Sequence, residues 1–261
     1  RFEGWGFGPQ GQDHWPERYP YCGGALQSPI DLESDLLRFD PTLRPIEVQN
    51  YNLSPNEQLT LGNNGHSGEY TSTVLSKEYV RLKLCNKLLH NRYTAAQLHF
   101  HWGSSSRPAG SEHTVNSKQY AAELHVVHYN SDKYPNISTA VDKSDGLAVL
   151  GVLVGMFNPA FEHILKFVND QKVKVPAFNI RALLPTRLDE YYRYDGSLTT
   201  PPCYPSVLWT VFRNPITVSP SMSLNNNYRK TQPVDNRLVL ASFKERKYGL
   251  QTWLALLPEH G

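Results

Sequence analysis

Short alternations of apolar and polar residues, broken by Gly, Pro, Asn and Ser clusters, run through most of the chain and predict β-strands. From Ile46 to about Leu84 the pattern is short strands joined by turns. Asn63-Asn64-Gly65 is a strong turn signal that leaves His66 at the start of the next extended piece. Ser144 to Phe157, SDGLAVLGVLVGMF, is a nearly continuous apolar run, as expected of a central strand buried on both faces. Val207 to Phe212 reads as a strand, and Thr217 to Met222 and Arg237 to Phe243 as edge elements. Helical spacing appears at Pro159 to Asn169, with Phe161, Ile164, Leu165 and Val168 on one side. Ile180 to Leu184 is a short helical turn ended by Pro185, and Arg187 to Tyr192 is read as a further helical segment. The first forty residues are rich in Gly, Pro and large rings (Trp5, Phe7, Trp15, Tyr19, Tyr21). They predict an irregular segment pinned by its aromatics, with ordered structure starting at Gln27-Ser28-Pro29-Ile30-Asp31-Leu32. With no internal repeat or linker, one mostly β domain is the economical reading.

The 261 residues are 39% hydrophobic and 11% aromatic with a formal charge of +2, an ordinary globular balance. Charges near the C-terminus are mixed in sign, so no basic stripe suits a nucleic-acid backbone. The apolar run 147–157 is too short and too glycine-broken to span a membrane. No signal peptide is present, and a start at Arg1 suggests a processed or trimmed product. Three cysteines, Cys22, Cys85 and Cys203, allow one disulfide in any of three pairings plus one free thiol. Asn52-Leu53-Ser54 and Asn136-Ile137-Ser138 fit the glycosylation sequon, the first made less attractive by Pro55.

Candidate chemistry concentrates between Gln97 and Asn130. His99 and His101 are i and i+2 on a predicted strand and leave the same face. After a Gly/Ser/Pro-rich turn region, Glu123, His125 and Val127 share one face of a second strand, with Leu124, Val126 and His128 on the other. If the strands are antiparallel neighbours, His125 completes a triangle with His99 and His101. Three neutral imidazoles with a fourth position open describe a catalytic zinc site. The plainer alternative is that each is a hydrogen-bonded strand histidine. Ser197-Leu198-Thr199-Thr200-Pro201-Pro202-Cys203 cannot be a regular helix, because paired prolines remove donors and restrict their neighbours. It is a rigid loop presenting two hydroxyls.

Together QSPIDL (27–32), NNGHS (63–67), QLHFHWG (97–103), GSEHTV (110–115), AAELHVVHYNSD (121–132), GLAVLG (146–151), GSLTTPPC (196–203) and NYRKTQP through NR to ASF (227–243) resemble the α-class carbonic anhydrases. The likeness is greatest to the extracellular or membrane-anchored animal forms and covers roughly residues 4–243. It implies a catalytic domain over 1–243, with 244–261 an extension of undefined structure. The implied fold is a large central, twisted, mainly antiparallel sheet with short peripheral helices. The implied reaction is reversible hydration of CO2 to bicarbonate by zinc-bound hydroxide. His99, His101 and His125 are the implied Zn2+ ligands, supported by Gln97, the backbone carbonyl of Asn227 and Glu123 respectively. Thr199 and an ionised Glu112 would orient the nucleophile, and Thr200 would contact bicarbonate. Val127, Val149, Leu198, Val207 and Trp209 match the apolar wall for CO2, although their residue types also suit core packing. His66 matches the proton shuttle, an imidazole with a pKa near 6.5 suited to take and release a proton near neutrality. Cys22 and Cys203 fit the disulfide of extracellular members, leaving Cys85 without a role. Sulfonamide or anionic inhibitors at the zinc, a secreted or extracellular location and homodimerisation are further expectations.

The chain departs from the family at Phe7, where many relatives carry a tyrosine, and at Glu69, which would place a negative charge at the pocket rim. It is short at Gly155 to Phe178 and at Ser219 to Asn227. The tail carries apolar residues at Leu250, Trp253, Leu254, Leu256 and Leu257. Rival readings are a cupin-like iron or manganese oxygenase with Glu112 as carboxylate ligand, and a non-catalytic, matrix or storage protein on the same fold. SLTTPP has no job in a cupin, and no ligand histidine is lost.

Overall fold

A computed structural model describes residues 5–7, 11–53, 56–63, 68–71, 79–83, 90–104, 106–156, 172–217 and 226–245. In chain order the first strands are β1 (Asp31–Leu32), β2 (Arg38–Phe39), β3 (Val48–Gln49), β4 (Gln58–Asn63), β5 (Gly68–Thr71), β6 (Tyr79–Lys83) and β7 (His90–Trp102). Then come β8 (Thr114–Val115), β9 (Lys118–Gln119), β10 (Ala122–Asn130), β11 (Leu147–Met156), β12 (Lys172–Pro176), β13 (Tyr191–Gly196), β14 (Val207–Thr217) and β15 (Leu240–Ala241). Among the described residues the α-helices are single turns, α1 (Trp15–Arg18) and α2 (Ile137–Ala140).

Among the described residues, twelve strands form one sheet along the path β12-β4-β5-β7-β10-β11-β14-β13-β15-β2, with β6 pairing β7 and β3 pairing β6. Only β11–β14 and β15–β2 are parallel within it among the described residues. The expected mostly β, mainly antiparallel single domain is what the chain builds.

The two-residue period of a strand sorts the centre of this sheet into two cores. Leu124 and Val126 of β10, Ala148, Leu150 and Val152 of β11, and Leu208 and Phe212 of β14 enter one cluster with Leu98 and Phe100. Val127, then Leu147, Val149 and Leu153, then Val207, Trp209 and Val211 enter the other. A strand covered on both faces has no polar face to show, which is why 147–156 reads as unbroken apolar sequence.

Three readings need correction. Arg187 to Tyr192 is not helical: Tyr191 begins β13, whose Tyr191, Tyr192 and Tyr194 are buried between β14 and β15. Aromatic residues tolerate either period, and burial from both sides decides for the strand. Arg237 to Phe243 contributes β15, but it is not an edge, because β2 pairs with its outer side. Thr217 closes β14 rather than opening a new element, and the rest of the reading to Met222 lies outside the described residues. Ile180–Leu183 is a 3-10 turn, in keeping with the predicted helical turn. The helix expected at Pro159 to Asn169, most of both shortened segments, Cys85 and all of the tail beyond Glu245 lie outside the described residues.

The N-terminal aromatics pack edge to face: Trp5, Phe7 and Trp15 have ring centroids 5.4–5.7 Å apart. They join a small core with Cys22 and Cys203. Ring burial, rather than a backbone ladder, orders this segment.

Candidate active site

β7 and β10 are antiparallel, with Glu123 opposite His101, His125 opposite His99 and Val127 opposite Gln97. Directly opposed residues share a sheet face. The three imidazoles therefore converge, with ring centroids 5.0 Å (His99–His101), 5.3 Å (His99–His125) and 4.6 Å (His101–His125) apart. One nitrogen from each lies within 4.8 Å of the others.

The second nitrogen of each ring is already engaged. His99 Nδ1 donates to Gln97 Oε1 at 3.0 Å, and His101 Nδ1 to the Asn227 carbonyl at 2.7 Å. His125 Nε2 donates to Glu123 Oε1 at 2.8 Å. These bonds fix the tautomers, leaving His99 Nε2, His101 Nε2 and His125 Nδ1 with lone pairs. His101 Nε2 is buried and has no hydrogen-bond partner among the described residues. Burial lowers all three pKa values, that of His101 to about 4 and that of His99 well below its ordinary value, so the rings are neutral near pH 7. Neutral donors aimed at one point, one of them otherwise orphaned, fit a borderline metal such as zinc.

Glu123 does more than the sequence indicated. Its Oε2 accepts the backbone N–H groups of Glu112 (2.9 Å) and His113 (2.8 Å). Its Oε1 takes His113 Nδ1 at 2.7 Å as well as His125. Burial alone would push this carboxyl up, but His113, His125 and their hydrogen bonds hold it well below the usual range. Gly151, opposite His125, gives the carboxylate room: a Cβ there would stand 3.1 Å from Glu123 Oε1 and 3.3 Å from Val211 Cγ2.

His113 was missed by the sequence reading, although it sits in the quoted GSEHTV motif. Its Nε2 is 2.6 Å from the Tyr194 hydroxyl, which donates to Ser28 Oγ at 3.0 Å. Ser28 Oγ in turn accepts Ser197 N–H at 3.0 Å, and Ser28 N–H donates to Ser197 Oγ at 2.9 Å. A buried chain thus runs from His125 through Glu123, His113, Tyr194 and Ser28 to the loop that carries Thr199. His113, Glu123 and His125 also lie close enough to suggest a metal cluster. There the imidazole N–H groups point into the carboxylate, so no lone pair faces a cation.

Glu112 is buried beside the triad. Its Oε1 accepts Arg229 N–H at 2.8 Å and lies 3.4 Å from His101 Nδ1. Its Oε2 is 3.9 Å from His125 Nδ1 and finds no well-aligned partner among the described residues. Burial raises its pKa to about 7, against the opposing pull of His125, the Thr199 hydroxyl and the Arg229 N–H. Thr199 is 6% exposed and Thr200 half-buried.

Their loop is held on every side. Leu198 N–H donates to Tyr204 O and Trp209 Nε1 to Ser197 O, both at 3.0 Å, and Gln27 Nε2 to Cys203 O at 3.2 Å. The Cys22–Cys203 disulfide is formed. The Arg229 guanidinium, buried and 5.4 Å from the Trp15 ring, donates to Gln27 Oε1, Ser28 O and Cys22 O, each at 2.8 Å. Gln27, Ser28, Tyr194 and Arg229 escaped the sequence reading because their partners are distant in the chain: Tyr194 is 166 positions from Ser28, and Arg229 is 201 from Ser28, 202 from Gln27 and 207 from Cys22.

Val127, Val149, Val207 and Trp209 are buried in the second cluster, with Leu198 packed against it, and Trp209 lies 4.8 Å from His125 ring to ring. His66 lies outside the described residues. Glu69 is on β5 opposite His99. Asn52 and Asn136 are both exposed.

The family description "Eukaryotic-type carbonic anhydrase" matches residues 10–243. Human "Carbonic anhydrase 12" is 49% identical over 92% of this chain and 73% of its own length. Mouse "Carbonic anhydrase 1" is 38% identical over 92% of this chain and 98% of its own, and human "Carbonic anhydrase 6" 35% over 91% and 82%. With the family's span covering the histidine triangle, the buried carboxylates and the Thr199 loop alike, the chain belongs to the eukaryotic-type carbonic anhydrase family.

Proposed function

We propose that this chain catalyses reversible hydration of CO2 to bicarbonate and a proton, with Zn2+ held by His99, His101 and His125. The observation that carries the reading is the convergence of three neutral, oriented imidazoles beside a buried carboxylate and an apolar wall. Zinc, when bound, is a Lewis acid that brings the pKa of water to about 7 and so supplies a nucleophile at neutral pH.

The remaining work falls to the chain. Glu123 and Gln97 accept N–H protons from His125 and His99, as the Asn227 carbonyl does from His101, and this raises ligand basicity. Glu112, ionised, accepts only, and a divalent cation nearby favours that ionised form over the neutral one. Thr199 then donates its hydroxyl proton to Glu112 and is left able only to accept from the nucleophile, whose lone pair is turned toward carbon. Thr200 receives bicarbonate. Val127, Val149, Leu198, Val207 and Trp209 give CO2, which has no net dipole, a dry surface beside the metal. His66 exports the proton to buffer. Sulfonamides and small anions would compete for the position facing Thr199.

The disulfide suits an oxidising compartment, supporting a secreted or extracellular setting. Among the described residues no helix is long and apolar enough to cross a membrane. We take 1–243 as the catalytic domain.

Stopped-flow CO2 hydration between pH 6 and 9, on protein of measured zinc content with and without chelation, tests the reading. One zinc per chain, activity rising through a pKa near 7 and loss on chelation support it. Bound zinc without hydration would sink it in favour of a binding or structural role. Iron in the zinc's place would revive the oxygenase.

A further inference from the structure

At the far end of the strands that carry the triad lies a cleft of about 540 Å³ that the proposed chemistry does not use. Its floor follows from strand register. Tyr79 of β6 is opposite Thr94 of β7, and Thr94 is opposite Tyr129 of β10. Opposed residues share a face, so a short threonine sits between two phenol rings and leaves a trough. The floor is polar, since Thr94 Oγ1 donates to Ser131 Oγ at 2.6 Å. Arg92, two residues before Thr94, stands at its side with the guanidinium 5.7 Å from the Tyr79 ring centroid. Tyr134 forms a third aromatic wall, its hydroxyl held by Asp145 Oδ1 at 2.7 Å.

Pro135 lines the cleft, and the next residue is Asn136, the first of the sequon Asn136-Ile137-Ser138. Asn136 is exposed and caps α2 through Oδ1, which accepts Thr139 N–H at 3.0 Å. The cap uses the oxygen and not the amide nitrogen that glycosylation requires. A pyranose has C–H groups on its faces and hydroxyls around its rim. Aromatic walls over a polar floor match that pattern, and the volume falls in the range of small-molecule sites.

We propose that Asn136 carries an N-linked glycan whose first N-acetylglucosamine lies in this trough, between the rings of Tyr79, Tyr129 and Tyr134. In the attachment step Asn136 Nδ2 loses a proton and bonds C1 of an oligosaccharide donated by a lipid pyrophosphate, which departs with the C1–O electrons. The sugar then becomes part of this face. The proposal rests on the sequon and the cleft, and not on the zinc chemistry.

The test uses the full chain made in glycosylating cells, with glycopeptide mass spectrometry for occupancy. Hydroxyl-radical footprinting then compares the intact glycoform, a form trimmed to one N-acetylglucosamine, and a form stripped by an amidase. Tyr79, Tyr129 and Tyr134 should be several-fold less modified in the first two forms than in the third. Tyr21, 55% exposed and away from the cleft, serves as the unchanged reference. An unoccupied Asn136 overturns the attachment. Occupancy with unchanged tyrosine reactivity, or protection only before trimming, overturns the seating of the first sugar. Tyr79→Ala should leave occupancy intact and speed native amidase release several-fold, and an unchanged release rate would count against the trough.

Discussion

The residues that decide the chemistry are those whose hydrogen bonds leave them no alternative state. Glu123 accepts four N–H groups, so replacing it with Gln turns amide donors toward donors. Glu123→Gln is expected to weaken zinc retention by about 10- to 100-fold, the usual cost of losing an outer-shell partner, measured as the rate of transfer to a chelator. His113→Gln should move the same rate in the same direction and by less, because it loosens Glu123 without removing it. His128 offers a separate test. Buried, and bonded to the Tyr51 hydroxyl and the Ala148 carbonyl, it has its pKa lowered from 6.5 to about 4 by burial. Between those values the unfolded chain binds a proton that the folded chain refuses, so stability falls as pH drops from 6.5 toward 4. The full loss is about 3 kcal/mol. Urea denaturation of metal-free wild type and His128→Asn across this window should show the variant lacking that part of the slope. Equal slopes would refute it.

Among the elements, the loop 197–203 depends most on distant support. The disulfide joins residues 181 apart, and its chain-entropy contribution is on the order of 5 kcal/mol. Cys22→Ser with Cys203→Ser should lower the unfolding midpoint. It should also depress CO2 hydration at temperatures where the protein is still folded, since Thr199 loses one of its fixed anchors. Full activity in the folded double variant would show that Arg229 and Gln27 hold the loop unaided. Element recognition from sequence followed the same division. The run 147–156 was recognisable because burial on both faces removes polar residues. β13 was not, because YYRYDG carries no clean period and its strand state depends on β14 and β15 lying either side.

For the whole molecule, zinc held as proposed by His99, His101 and His125 would tie β7 to β10 at the centre of the sheet. Zinc at a hundred times its dissociation constant should add about 3 kcal/mol to the unfolding free energy of metal-free protein. A zinc titration followed by thermal unfolding checks this, and a midpoint indifferent to zinc would contradict the site. Leu150→Ala, emptying a fully buried position on the opposite core face, should cost about 2–5 kcal/mol with zinc stoichiometry unchanged in the folded fraction.

The sequence by itself determined the central strands β7, β10, β11 and β14, the shared face of His99 and His101, the rigidity of the Thr199 loop and, through its motifs, the family. These are local properties: a two-residue period, two prolines in a row, a set of short patterns. The tertiary structure showed His125 opposite His99 and formed the Cys22–Cys203 bond that the resemblance implied, and it alone revealed that His113, Tyr194 and Ser28 link His125 to the Thr199 loop. Each of these joins positions far apart in the chain. Their meeting is fixed by register and burial across the sheet, which no local pattern encodes.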